Sequence, residues 1–176
     1  PTGSLYTKDE LEAFAKVLEK HPNVFVISDE IYEHINFEGK HESIAQFERI
    51  KDQVIVVNGV SKAYAMTGWR LGYIGAPQWL AKACDKMQGQ VTSGTCTISQ
   101  MAAIDAVESE KEVTEEMTAI FKSRRDLVLK LMSEIEGVKT NVPPGAFYVF
   151  PEVSLFFGKY HGEKAIENST DLCMYL

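Results

Sequence analysis

The chain has 176 residues, of which 45% are hydrophobic and 24% are charged, and its formal net charge is −7 at pH 7. These values are ordinary for a globular protein with a sizeable core and one or two domains. The acidic excess argues against a general nucleic-acid-binding protein, which needs a basic face for phosphates. No apolar run in the sequence approaches the length needed to cross a membrane.

Three cysteines, Cys84, Cys96 and Cys173, are far apart, and their spacing matches no metal-binding motif. An odd number of scattered cysteines favours reduced thiols and a cytoplasmic location. The chain starts at Pro1, which is no natural initiator, and an apolar helical pattern is still running at Leu176. These ends predict a fragment of a longer protein.

The first predicted element is a helix whose start is marked by a capping box. Thr7 and Glu10 have the spacing in which each side chain accepts a hydrogen bond from the backbone of the other. Apolar residues then recur at helical spacing at Leu11, Phe14, Ala15 and Leu18. A buried strand is predicted next, at 24–27, and this alternation of helix and strand is typical of an α/β fold.

A polar segment follows at 33–53, with Ile44 and Phe47 as its expected apolar anchors. Its two histidines, His34 and His41, have no carboxylate or cysteine partner at metal-ligand spacing. The sequence therefore predicts solvated or hydrogen-bonded imidazoles here and no metal site.

Helices dominate the second half of the sequence. The apolar periodicity predicts them at 77–90, 98–107 and 112–135. The alanine-rich second helix is expected to be buried, and Arg124 and Arg125 of the third are expected to face solvent. Shorter elements are predicted afterwards: paired strands at 138–142 and 147–150, and helical pieces at 154–157 and 170–176.

The strongest chemical signal lies at 54–76. Two apolar strands, predicted at 54–57 and 71–74, enclose a short connection with a single lysine, Lys62. Ser61 precedes it and small or apolar residues follow, which disfavours the charged form of the amine and makes it a usable nucleophile or base. Eight residues further on, Arg70 offers a planar fork of donors suited to a phosphate or carboxylate.

A second signal follows the strand predicted at 24–27, where Asp29 and Tyr32 occur. Ligands of open α/β sheets bind beyond the carboxyl ends of the strands. We therefore expect Asp29 and Lys62, from neighbouring strands, to converge on opposite ends of one ligand.

Together, the stretches VFVISDEIY and NGVSKAYAMTGWRLGY resemble the class I aminotransferases, fold-type I enzymes that use pyridoxal 5'-phosphate (PLP). The resemblance joins an aspartate-x-x-tyrosine after one strand to a serine-lysine after the next, with an arginine eight residues beyond the lysine. Pro1-Thr2-Gly3 looks like the family's asparagine-proline-x-glycine element without its asparagine. The stretch at 144–148 looks like the turn that enters a strand of the family's small domain.

The resemblance implies a role for each candidate residue. Asp29 would pair with the protonated ring nitrogen of PLP, and Tyr32 would donate a hydrogen bond to the ring hydroxyl. Lys62 would hold the cofactor aldehyde as an imine and then move a proton at the substrate α-carbon. Ser61 and Arg70 would bind the phosphate.

It also implies an α/β fold in three parts. Residues 1–110 would be the C-terminal portion of the PLP-binding large domain, 111–136 the helix that connects the domains, and 137–176 an incomplete small domain. The whole protein would be a homodimeric aminotransferase, with the linker at 91–97 near the dimer interface. Its substrates would be an L-amino acid of the aspartate or aromatic kind and a 2-oxo acid, and neither nucleic acid nor membrane would be a partner.

Two alternatives to an aminotransferase stay open. Asp29, Tyr32, Lys62 and Arg70 would equally suit a PLP-dependent C–S β-lyase of the same fold. A transcription regulator could also use an aminotransferase-like domain to sense PLP. In every case the isolated chain is expected to be inactive, because the groups that stack on the ring and clamp the substrate carboxylate would lie outside it.

Overall fold

A computed structural model describes residues 1–176 and shows a three-stranded sheet. Its strands are Val26–Asp29 (β1), Val54–Gly59 (β2) and Gly72–Gly75 (β3), with β2 in the centre. β1 runs parallel to β2, with Asp29 opposite Val57, and β3 runs antiparallel to β2. The predicted α/β class is confirmed, but β1 begins two residues later than predicted, so Asp29 is the last residue of the strand and does not follow it.

The predicted capping box starts the first helix, α1 (Lys8–Leu18). The Glu10 backbone N–H donates to the Thr7 hydroxyl at 3.3 Å, and the Thr7 backbone N–H donates to the Glu10 carboxylate at 2.8 Å. One face of α1 packs on the 3₁₀ turns Ile44–Gln46 and Glu48–Gln53 and on the start of β2. The buried side chains of this core are Leu11, Ala15, Ile44, Phe47, Ile50 and Val54. Burial of both predicted anchors follows from this packing.

Four more helices, a two-stranded hairpin and two further 3₁₀ turns complete the chain. The helices are α2 (Gln78–Val91), α3 (Thr97–Val107), α4 (Lys111–Ser133) and α5 (Ser169–Tyr175). The hairpin pairs Tyr160–His161 (β4) with Lys164–Ala165 (β5), and the 3₁₀ turns are Thr67–Trp69 and Ser154–Phe156. None of the helices is both long enough and apolar enough to cross a membrane.

The prediction that the alanine-rich helix, α3, is buried is wrong. In α3 only Ser99 and Ala103 are buried, and Ile98 is 72% exposed. The chain as a whole exposes 12353 Å², whereas a compact monomer of its mass would expose about 8,600 Å². The apolar spacing identifies faces suited to burial, but no other part of these 176 residues covers them.

Two expectations for the last third of the chain are also wrong. The predicted strand pair at 138–142 and 147–150 is reduced to one isolated bridge between Lys139 and Glu152. Prolines at 143 and 144 have no N–H to donate, and the positive φ of Ala146 turns the backbone out of an extended path. Arg125 is not solvated, because its guanidinium donates to the Pro143 carbonyl at 3.0 Å and lies 4.7 Å from the Phe37 ring centroid.

A buried carboxylate, Glu30, fixes the chain directly after β1. It accepts hydrogen bonds from Ser28 Oγ at 2.9 Å, Ser43 Oγ at 2.7 Å and His41 Nε2 at 2.8 Å. Burial alone would raise the Glu30 pKa, but these hydrogen bonds outweigh it and the pKa is lowered, while the bond to Glu30 raises the pKa of His41. The network ties the polar segment to the end of β1, next to Asp29.

His41 and His34 are hydrogen-bonded or ion-paired, but the sequence analysis missed their carboxylate partners. His34 Nε2 lies 3.2 Å from the Glu33 carboxylate. Glu30, Glu33 and His41 place one potential ligand atom each within 4.8 Å of one another. Sequence spacing could not show this group, because eleven residues separate Glu30 from His41.

We expect His41→Asn to lower the free energy of unfolding by about 1–3 kcal/mol near pH 6, the range of a hydrogen bond to a charged group. Because the folded-state pKa of His41 lies above its ordinary 6.5, the pairing stabilises fully below pH 6.5 and is lost as pH rises through the folded value. Because the pKa of Glu30 is lowered in the folded state, the contribution of Glu30 to stability is fully present above pH 4.5. It is lost as the pH falls through the folded-state pKa of Glu30.

Urea unfolding of both proteins at several pH values measures this loss. The control is His21→Asn, at an exposed side chain outside the network. An effect of His41→Asn that is equally large at pH 6 and at pH 9 would show that the ion pair is not its cause.

Candidate active site

The candidate site lies where β1 and β2 end. Parallel neighbours present their carboxyl ends at the same edge of a sheet, and this edge is where α/β sheets bind ligands. Asp29 is the last residue of β1, and Lys62 follows the end of β2 by three residues. The Glu30 N–H donates to the Val57 carbonyl at 2.8 Å and continues the pairing one residue further. The sheet thus carries both candidate groups to one edge.

Lys62 is half-buried, and its amine is flanked by two aromatic rings. Nζ lies 6.0 Å from the ring centroid of Tyr32 and 5.4 Å from that of Phe147. The two rings meet edge to face, with their centroids 5.3 Å apart. An ammonium over such faces is held by the negative π-surface of the rings. The two rings therefore favour this position of the amine.

Tyr32 is linked to Asp29 and to a residue of a distant turn. Its hydroxyl lies 2.6 Å from the hydroxyl of Tyr148. Burial and the negative charge of Asp29 both raise the Tyr32 pKa. Tyr32 consequently stays protonated at neutral pH and keeps a proton to donate. The carboxylate of Asp29 is exposed, with its Oδ1 accepting from the Ile31 N–H at 3.3 Å.

Ser61 and Arg70 sit at the two ends of one loop, and Thr67 joins them. The Thr67 hydroxyl donates to the Ser61 carbonyl at 3.0 Å, and Arg70 Nη1 donates to the Thr67 carbonyl at 3.0 Å. Arg70 adopts a left-handed backbone conformation, with φ 54° and ψ 53°. This bend reverses the chain between the 3₁₀ turn Thr67–Trp69 and β3. Nothing in the sequence pattern distinguished Thr67 as the link.

The turn at 143–148 carries Phe147 and Tyr148 to the site. Its backbone is held by the Gly145 N–H donating to the Gly3 carbonyl at 3.0 Å and the Ala146 N–H donating to the Ile35 carbonyl at 2.8 Å. Gly3 has φ 70°, and a Cβ there would lie 2.4 Å from the Pro143 Cβ, so only glycine allows the approach. The proline-threonine-glycine element at the start of the chain therefore seats this turn.

The structure thus brings Asp29, Tyr32 and Lys62 to one sheet edge and places Ser61 and Arg70 on the loop that leaves it. Sequence analysis missed the contributions of Phe147 and Tyr148. The only signal was the aromatic pair in the proline-glycine turn, because contact across 116 residues leaves no trace in local spacing.

The chain is similar to a protein family and to several known proteins. The family model for aminotransferase class I and II matches residues 1–160. A bifunctional aspartate aminotransferase and glutamate/aspartate-prephenate aminotransferase of Petunia hybrida is 46% identical over 100% of this chain and 38% of its own length. An aspartate aminotransferase of Pinus pinaster is 42% identical over 99% of the chain and 37% of its own length.

A solved structure shows the same fold. The crystal structure of the aspartate aminotransferase from Rhizobium meliloti matches with a TM-score of 0.93 and 40% identity, over 99% of this chain and 44% of that one. The chain spans about two fifths of the length of these relatives. Since the family model covers nearly all of the sequence, the chain belongs to the class I and II aminotransferases.

Proposed function

We propose that the chain is part of an aminotransferase subunit that exchanges an amino group between an amino acid and a 2-oxo acid. The observation that carries the proposal is the position of the Lys62 amine, beside two aromatic rings at the sheet edge where Asp29 ends its strand. The similar proteins are named aspartate and aspartate/prephenate aminotransferases. We therefore propose aspartate or glutamate as the amino donor.

The residues of the site fit the cofactor of the family. Class I and II aminotransferases depend on PLP, which supplies an electron sink for bonds broken at the substrate α-carbon. The cofactor has an aldehyde, a basic ring nitrogen, a ring hydroxyl and a phosphate. The chain offers an amine, a carboxylate and a protonated phenol at one sheet edge, and a hydroxyl and a guanidinium on the loop that leaves it.

Each residue then has a distinct task. The negative charge of Asp29 would keep the ring nitrogen protonated, and Tyr32 would donate its proton to the ring hydroxyl oxygen. The Lys62 amine would hold the aldehyde carbon and, when released, act as the base that moves a proton at the substrate α-carbon. Ser61 and Arg70 would bind the phosphate, with Arg70 supplying a bidentate fork.

We further propose the division into large-domain residues 1–110, a connecting helix at 111–136 and small-domain residues 137–176. α4 supports the second part, because it is a 23-residue helix with only Thr114 buried. The remaining subunit and a second copy in a homodimer would cover the surplus surface. The 12353 Å² exposed is consistent with both, and the greater length of the relatives supports a longer subunit.

The function is tested by adding PLP to the full-length subunit, trapping the Lys62 adduct with borohydride and finding the modified peptide by mass spectrometry. We expect Lys62→Ala to abolish the adduct and the absorbance band of bound PLP, because no other amine lies at this position. Lys82→Ala, on exposed α2, is the matched control and should keep both.

Activity is assayed with aspartate and 2-oxoglutarate. The full-length subunit should transfer the amino group, and the isolated 176 residues should show no turnover. A band that survives in Lys62→Ala would contradict the assignment. Release of ammonia, pyruvate and a thiol from a cysteine thioether, with no 2-oxo acid present, would support a C–S β-lyase instead.

Thr67→Ala should weaken PLP binding by about two- to tenfold, the value of one neutral hydrogen bond, because it removes the bond from the Thr67 hydroxyl that holds the Ser61 carbonyl. Binding of pyridoxal, which lacks the phosphate, should not change. Thr67→Ser keeps the hydroxyl and should retain wild-type affinity. Fluorescence titration of the cofactor-free subunit measures both ligands, and an equal loss for PLP and pyridoxal would show that Thr67 does not act on the phosphate side.

A further inference from the structure

Tyr148 is a polar residue at the site for which the proposed function has no task. Its hydroxyl lies 2.6 Å from that of Tyr32, a short hydrogen bond between two phenols. Tyr32 is half-buried, and its ring forms one wall beside the Lys62 amine. Anything that fixes the Tyr32 phenol therefore acts next to the candidate reacting group.

The position of Tyr148 is set by packing. Its ring lies 5.0 Å from that of Phe147 and 5.6 Å from that of Tyr32, measured between centroids. Phe147 in turn stacks on Phe121 of α4 at 5.3 Å, with an angle of 23° between the rings. The backbone of the turn is held on Ile35 and Gly3 by the hydrogen bonds described above. The Tyr148 hydroxyl thus reaches Tyr32 from a seated turn and not from a free loop.

We propose that Tyr148 is a positioning residue for Tyr32, holding the phenol in place through their shared hydrogen bond. The inference rests on the proposed function where it concerns the cofactor. A phenol has one proton to donate. Once the Tyr32 O–H donates a hydrogen bond to the ring hydroxyl oxygen of a ligand, the Tyr32 oxygen can only accept. Tyr148 must then be the donor in the bond between the two phenols.

The direction of the Tyr148–Tyr32 hydrogen bond affects the strength of the hydrogen bond that Tyr32 makes to a ligand. A donor on the Tyr32 oxygen polarises its O–H bond, so Tyr32 becomes a better donor in its turn. Loss of the Tyr148 hydroxyl should therefore weaken the hydrogen bond that Tyr32 makes to a ligand, while the aromatic packing stays.

The first test needs no cofactor. Difluorotyrosine placed at position 32 of the full-length subunit moves the phenol titration into a pH range that the fold tolerates, and ¹⁹F NMR follows it. Tyr148→Phe keeps the ring and its packing, and should raise the pKa of the phenol at position 32, because the ionised phenol loses the hydrogen bond that the Tyr148 hydroxyl donates to it. Tyr160→Phe, at a ring that is 72% exposed, is the control and should leave it unchanged.

The second test uses PLP and separates positioning from mere contact. Tyr148→Phe should weaken PLP binding by about two- to tenfold. It should also move the pH transition in the absorbance of bound PLP upward by at most about one unit, because a cofactor oxygen with a weaker donor is more basic. Tyr160→Phe should change neither quantity.

An unchanged titration at position 32 in Tyr148→Phe overturns the proposal. A raised phenol pKa with unaltered PLP affinity and absorbance transition also overturns it, because Tyr148 would then touch Tyr32 without positioning it for a ligand. If the wild-type subunit binds no PLP, the proposed function fails, and the phenol titration alone decides whether Tyr148 holds Tyr32.

Discussion

The parallel pairing of β1 with β2 is the constraint on which the candidate site depends. It sets Asp29 opposite Val57 and brings the carboxyl ends of two strands, separated by more than twenty residues of chain, to one edge. α1 supports the pairing from one side, because its buried face packs on the 3₁₀ turns that lead into β2. This register is what places Asp29, at the end of β1, and Lys62, beyond the end of β2, at the same edge of the sheet.

A second constraint on the candidate site comes from a turn that lies far from β1 and β2 in the sequence. The turn at 143–148 is held by backbone hydrogen bonds to Gly3 and Ile35. It carries Phe147 to the Lys62 amine and Tyr148 to the Tyr32 hydroxyl. Arg125 reinforces it from α4 through the Pro143 carbonyl. The segments around Gly3, Ile35 and 143–148 are distant in sequence but are joined by these hydrogen bonds. A change in any of them therefore affects the turn that contacts the Tyr32 phenol.

Much of this could be predicted from local pattern. The Thr7–Glu10 spacing determines where α1 starts, and the apolar runs identify the sheet strands to within two residues. What local pattern could not supply was contact at long range. Tyr148, the His41 partner of Glu30 and the seating of the turn on Gly3 all depend on tertiary packing, which a spacing rule cannot register. The burial predicted for α3 was wrong for a related reason, because an apolar stripe shows that a face suits burial and not what covers it.

The order of the two acids at the end of β1 carries a consequence for fidelity of folding. Successive residues of a strand point to opposite sides, so Asp29 stays free while Glu30 is enclosed by serine and histidine donors. A shift of one residue in the pairing of β1 with β2 would exchange the sides on which Asp29 and Glu30 lie. The shorter Asp29 side chain would then face donors whose spacing suits glutamate. The hydrogen bonds of Glu30 to serine and histidine therefore favour the observed register and, with it, the orientation of Asp29.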